Sequence, residues 1–198
     1  DAIAAVAAET AAALGTDVPK IAVVHCSGLG GLDLLEAWRR RGAVTLSLHP
    51  LQSLTANAGA QALAGVPMAV TSAGTPGREL GGRLAEILGC VPFDLPDESK
   101  RLYHLAATVA SNLLVALEAE GAELLRQAAH LADTDGALRM LGPLVSTTLS
   151  NALSAGPRRA LTGPVARGDV GTVRAHLEAL ERQPARLRRV YRALSLQA

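Results

Sequence analysis

The sequence predicts an α/β protein in two parts: a parallel, helix-flanked sheet over residues 1–96 and an all-helical part over residues 97–198. Three observations carry this. Up to Pro96, short charge-free apolar runs alternate with helix-length segments, the pattern of a layered parallel sheet. After Pro96 no convincing strand-like run is found. Finally, 198 residues that are 49% hydrophobic and 19% charged can bury the core of one ordinary domain or two small ones.

In chain order, the alanine-rich segment 2–14 reads as a helix closed by Gly15. Lys20–Cys26 is β-branched and uncharged after its first residue, which suits a strand buried on both faces. Ser27-Gly28-Leu29-Gly30-Gly31 turns into a helix reaching about Arg41. Ala43–Leu48, Val66–Thr71 and Cys90–Leu95 are the next strands, with a helix over 78–88. The stretch 42–77 lacks any Asp, Glu, Lys or Arg and reads either as partly buried or as a Gly/Ala-rich surface loop. Beyond Pro96, Asp97 is placed to cap a helix running past Glu118. Helices at 137–155, 169–182 and 184–196 come next, the second capped by Asp169.

Composition excludes several functions. A net charge of +1 and 2% aromatic residues argue against nucleic-acid binding, which favours basic surfaces and stacking platforms. Two cysteines, Cys26 and Cys90, make neither a disulfide framework nor a zinc site, so no metal and a reducing, cytoplasmic setting are expected. The charge-free runs 102–117 and 140–157 hold several polar residues and fall short of the roughly 20 mostly apolar residues of a span. They read as helices buried in protein, with no membrane association. The chain opens at Asp1 without a secretory pattern and is expected to begin inside a longer protein.

Open parallel sheets bind ligands beyond the carboxyl ends of their strands. Two polar clusters fall there: His25-Cys26-Ser27-Gly28 and Ser47-Leu48-His49-Pro50-Leu51-Gln52. Cys26 reads as a small buried hydrophobe. Gly28-Leu29-Gly30-Gly31 is not a phosphate loop, because Asp33 takes the third glycine's place and would repel a pyrophosphate. On the helix after Pro96, Lys100, His104, Thr108, Ser111 and Asn112 share one face among Leu, Ala and Val. Such a polar stripe costs free energy unless satisfied or facing a cavity. Thr147 and Asn151 repeat the pattern more weakly. Arg167 is placed to reach an anionic ligand, whereas the C-terminal arginines read as a solvated helical face.

Several of these stretches together resemble a group of bacterial proteins that join a Rossmann-like dinucleotide-binding domain to a helical domain of unassigned function and are regarded as candidate NADP-dependent oxidoreductases. The resemblance rests on His25-Cys26-Ser27-Gly28, Ser47-Leu48-His49-Pro50-Leu51-Gln52, Pro96-Asp97-Glu98, Tyr103-His104-Leu105-Ala106-Ala107, Ala110-Ser111-Asn112, Thr148-Leu149-Ser150-Asn151 and the segment Ala160–Asp169. More distantly, the layout is similar to 6-phosphogluconate and β-hydroxyacid dehydrogenases, ketopantoate reductase and pyrroline-5-carboxylate reductase. The resemblance implies a partial Rossmann-like domain over 1–96, entered midway, with the family's glycine-rich turn ahead of residue 1. It also implies a helical substrate-binding and dimerising domain over 97–198.

The activity that the resemblance implies is NAD(P)-dependent oxidation or reduction of a small carbonyl, hydroxy or imine substrate. NADP or NAD would be the cofactor, and a homodimer would form through the helices. Ser27, Gly28, His49 and Pro50 would line the nicotinamide side of an interdomain crevice. His104 would transfer the proton, since an imidazole titrates near neutrality. Asn112 would orient the substrate oxygen and Lys100 would be a reserve proton donor. Ser111, Asn151 and Arg167 would contact substrate. The alternative is a non-catalytic ligand-binding or dimerisation module.

Overall fold

The computed structural model describes residues 2–14 and 20–197. The chain divides into two compact units, Asp1–Leu114 and Val115–Ala198.

The first unit is built on four strands: β1 (Ala22–His25), β2 (Val44–Pro50), β3 (Pro67–Ser72) and β4 (Val91–Asp94). Its helices are α1 (Ile3–Ala13), α2 (Glu36–Arg39), α3 (Thr75–Ile87) and α4 (Lys100–Ala110). All four expected strands are present. The helix expected over 31–41 is a 3-10 turn, Leu32–Leu35, leading into α2. Gly15, expected to close α1, lies outside the described residues.

The sheet runs in the order β1-β2-β3-β4. β1 with β2 and β3 with β4 are parallel, as expected, but β2 and β3 are antiparallel. The reason is the connection. Between β2 and β3 there is only a loop and the 3-10 turn Ala60–Leu63, and without a crossover helix the chain returns in the opposite sense. α2 and α3 supply that crossover for the two parallel pairs. β1 is an edge strand, and Ala22 and Val24 are exposed, so it is not buried on both faces as its apolar run suggested.

The two faces of the sheet differ, as period-2 alternation dictates. One face carries Leu48, Met68 and Val70, which form a core with Val66, Ala85 and Cys90. α3 lies against it through Gly77, Gly81 and Ala85, each buried. A Cβ on Gly81 would stand 2.5 Å from Val70 Cγ1, whereas one on Gly82 would meet nothing within 4 Å. The opposite face is polar, with Thr45, Ser47 and Thr71 all buried. A second cluster joins Ala7 and Ala11 of α1 to Leu35 and Trp38, and the Trp38 indole donates to Thr10 Oγ1 at 3.2 Å. In the charge-free stretch 42–77, burial is confined largely to the strands, and 51–61 is an exposed loop.

α4 ends at Ser111, where the backbone leaves helical geometry (φ −120°, ψ −70°), and α5 (Asn112–Ala128) starts at once. By length and mean hydropathy, 1.3, the stretch Asp97–Ala128 meets the criterion for crossing a membrane, as core helices of water-soluble proteins also do.

The second unit is helical: the body of α5, α6 (Thr134–Ala155), α7 (Pro157–Ala160), α8 (Val170–Leu180) and α9 (Ala185–Ser195). No strand occurs after β4 among the described residues. Asp133 and Asp169 cap α6 and α8 by accepting from the Gly136 and Thr172 N–H groups at 2.6 and 3.0 Å. Arg186 donates to Glu120 at 2.9 Å and thereby ties α9 to α5. The runs 102–117 and 140–157 are not buried as expected. Leu102, Leu105, Val109, Met140, Leu144 and Leu153 are all more than half exposed. In this unit Ala122 and Ala137 are fully buried, and Leu180 and Leu187 are the large side chains buried with them among the described residues.

Gly81→Val forces new carbons into Val70 and is expected to cost on the order of 1–3 kcal/mol in denaturant unfolding. Gly82→Ala, one position on in the same helix, is expected to be neutral or to stabilise by up to about 1 kcal/mol.

Candidate functional site

The site is assembled where α4 crosses the polar face of the sheet at the carboxyl ends of β1 and β2. Its foundation is Lys100, 1% exposed, whose ammonium donates to Ser47 Oγ at 2.7 Å and to the Ser27 carbonyl at 2.9 Å. No carboxylate lies within ion-pair distance of it among the described residues. Burial lowers its pKa, and Asp97 partly opposes this.

His25 is held in one tautomer. Its Nε2 lies 3.1 Å from the Gly31 carbonyl, which only accepts, and its Nδ1 lies 3.1 Å from the Ser27 N–H, which only donates. The ring is therefore neutral with its proton on Nε2. Burial and then the Lys100 charge lower its pKa, which agrees with that state.

His49, half-buried at the end of β2, faces α4. Its Nδ1 lies 2.7 Å from the Tyr103 hydroxyl, and the two rings meet edge to face at 5.5 Å. Phe93 of β4 packs on the other side of Tyr103, with centroids 6.1 Å apart. Burial, Lys100 and His104, in that order, lower the His49 pKa. Gly28 sits between two imidazoles. A Cβ there would be 2.7 Å from His49 Nε2 and 3.0 Å from His104 Cδ2, so only glycine allows this approach.

Beyond the two imidazoles opens a cleft of about 620 Å³. The loop after β2 supplies Gln52 and Ser53, and α4 with the start of α5 supplies His104, Thr108, Ser111 and Asn112. The floor between them is alanine, at Ala106, Ala107 and Ala110. The break at Ser111 falls inside this lining.

The loop after β1 serves the protein itself. Ser27 Oγ accepts from the Gly30 N–H at 2.9 Å, and Asp97 Oδ1 accepts from the Leu32 N–H at 3.0 Å. Asp97 therefore does not cap the helix behind it. The chain makes a 3-10 turn over Asp97–Ser99 first, and the carboxylate reaches back across the unit. With the Ser27 N–H engaged by His25, three loop amides that could have met a phosphate are taken. The adjoining cleft holds Asp33, Asp97 and Glu98 against Arg101 alone. With three of its amides engaged and three carboxylates against one arginine, this loop fits a dinucleotide's pyrophosphate poorly.

Residues 66–198 match the family "domain of unknown function (DUF2520)". The chain belongs to that family. Its fold is similar to that of BF3122 from Bacteroides fragilis, crystallised as a "putative NADP oxidoreductase", at 23% identity and a TM-score of 0.72 over 89% of this chain. It is also similar to protein TM1727 from Thermotoga maritima, at 25% identity and a TM-score of 0.70 over 89% of this chain. The chain spans 64% of the first protein's length and 66% of the second's. A search of the curated proteins finds no match.

In this DUF2520 member, Ser27, Gly28, His49, Lys100 and His104 come together from three separate segments. Ser111 and Asn112 line the cleft with His104. Pro50 closes β2 opposite Met68 and is not among the lining residues. Asn151 is exposed on α6, and Arg167 is exposed in the loop before α8, both in the second unit. Cys26 is exposed rather than buried, because it comes directly after His25 and points away from the buried side. Ser47 belongs to the polar cluster expected at the end of β2, but its role as the partner of Lys100 was not expected, and Tyr103 was given no role. Tyr103 stands at i+3 from Lys100 and i−1 from His104, but its partner His49 is 54 residues away, and no local spacing links them.

The lowered pKa values have a sign that can be measured. As pH falls through 6.5, the usual imidazole value, the unfolded chain binds protons that His25 and His49 refuse in the fold. Stability is therefore expected to fall toward acid, and unfolding by urea between about pH 7 and about pH 5 reads this out. Lys100→Met removes the charge and is expected to make that decline shallower.

Proposed function

We propose that this chain carries the substrate side of an NAD(P)-dependent oxidoreductase site, with the cleft beside His49 and His104 as the place of reaction. The observation that carries the reading is the convergence of two imidazoles on Gly28 at the mouth of a hydrogen-bonding cleft at the strand ends. The likeness to a structure described as an NADP oxidoreductase supports it. A nicotinamide cofactor, when bound, would supply or take the hydride. Its phosphates would be held by parts of the protein other than the glycine loop of this chain, three of whose amides are engaged.

The chain's own residues divide the remaining work. His104, at the cleft wall, passes the proton to or from the oxygen or nitrogen of a small carbonyl, hydroxy or imine substrate. Asn112 and Ser111, at the helix break, orient that substrate. Lys100 is a positioning residue, because its head is sealed beneath the strand ends with two of its three donors engaged by Ser27 and Ser47. Gly28 keeps the two rings in register by presenting no side chain.

The same reading assigns the exposed apolar face of α4, at Leu102, Leu105 and Val109, to a second copy of the chain. Their spacing puts them on one side of the helix, and a homodimer would bury them. Light scattering is expected to give twice the chain mass. Leu105→Glu with Val109→Glu is expected to give monomer, and a monomeric wild type would overturn the assignment.

The activity test is oxidation of NADPH or NADH against a panel of small carbonyl and imine compounds. His104→Ala is expected to lower kcat by about 10²-fold or more. Unchanged turnover would remove His104 from the proton transfer. Absence of any turnover, with ligand binding retained, would favour a non-catalytic binding module.

A further inference from the structure

His49 forms a wall of the cleft, and its surroundings also fix its protonation state. The Tyr103 hydroxyl stands 2.7 Å from Nδ1. That is the length usual when a hydroxyl donates, and shorter than the roughly 2.9–3.0 Å common for a ring N–H donor. The other acceptor within reach of the phenol, the His49 carbonyl, is at 3.5 Å. Burial raises the Tyr103 pKa, so the phenol keeps its hydrogen. Burial, Lys100 and His104 lower the His49 pKa, so the imidazole keeps a single N–H. If Nδ1 accepts from Tyr103, that N–H is on Nε2, the atom that faces Gly28 and the His104 ring.

We propose that Tyr103 donates its phenolic hydrogen to Nδ1 of His49, holding His49 as the Nε2–H tautomer, and that this N–H is a hydrogen-bond donor to the oxygen of an uncharged carbonyl substrate bound between His49 and His104. The substrate half of the inference rests on the oxidoreductase reading, while the tautomer does not. In that reading the carbonyl oxygen gains negative charge as its carbon is reduced, and a fixed neutral donor strengthens its bond as the charge develops. The proton that completes the hydroxyl comes from His104, and His49 keeps its own. Tyr103 is then a positioning residue that acts through His49.

Among the described residues, α4 brings Lys100, Tyr103 and His104 to His49, while β1 pairs His25 with Ser47, two residues earlier on β2. β3 places Ala69 opposite His49, and β4 places Phe93 opposite Ala69. Burial first, then Lys100 and His104, holds the His49 pKa below the usual imidazole value.

Nitrogen NMR of histidine-labelled protein reads the tautomer directly, with no cofactor present. At neutral pH the wild type is expected to show His49 as Nε2–H, and an Nδ1–H or mixed signal would overturn the proposal. Tyr103→Phe keeps the ring contacts and removes only the hydroxyl. The variant is expected to lose the bias toward Nε2–H and to show a mixture of the two tautomers, and an unchanged Nε2–H signal would overturn the role given to Tyr103. Acetamide serves as an uncharged carbonyl probe. Its addition is expected to move the His49 Nε2–H resonance, and no movement would overturn the donor role while leaving the tautomer in place. Failure of the turnover screen changes none of these readings, so the two proposals fail separately.

Discussion

A buried lysine ammonium, with no carboxylate in ion-pair distance among the described residues, holds the first unit's functional end together. Taking a charge out of water is costly unless hydrogen bonds replace the lost hydration. Lys100 finds two, one to the Ser27 carbonyl just past β1 and one to a serine inside β2. Each contact ties α4 to a different strand, so the helix cannot slide without leaving a cation unsatisfied. Tyr103 and His104, one turn further along, inherit that fixed position, and His49 and Gly28 meet them there. The polar face of the sheet answers the same demand, since an apolar strand end would offer the ammonium nothing.

The glycine-rich segment after β1 has the composition of a phosphate-binding turn and a different physical use. In the fold its hydrogen-bonding capacity is directed inward, to His25, Ser27 and Asp97, and carboxylates surround it. The loop acts as a rigid corner that carries Gly28 to the two imidazoles. Asp97 is central to this, because one carboxylate both braces the corner and partly offsets the positive charge of Lys100.

Much of this was legible in the residues. The four strands were readable from short charge-free runs, and the stripe Lys100, His104, Thr108, Ser111 and Asn112 was readable from helical spacing. Sheet direction was not, because direction depends on whether a connection holds a helix, and the segment between β2 and β3 lacks charge without declaring its shape. The exposure of Leu102, Leu105 and Val109 was not legible either, since an apolar helix reads the same whether its own chain or another surface covers it. The burial of Lys100 and the pairing of Tyr103 with His49 both join positions more than fifty residues apart. Periodicity measures only near neighbours, so it carries no trace of them.

The placement of Trp38 has a practical side. It is the chain's single tryptophan. It is 4% exposed, locked by its bond to Thr10 in the cluster of α1 and α2, and belongs to the unit Asp1–Leu114. Indole emission therefore reports melting of that unit alone. Helical circular dichroism, dominated by α5, α6, α8 and α9, weights the other. Recorded together on one sample, the two optical signals resolve whether the halves of the molecule unfold as a single cooperative event or in sequence.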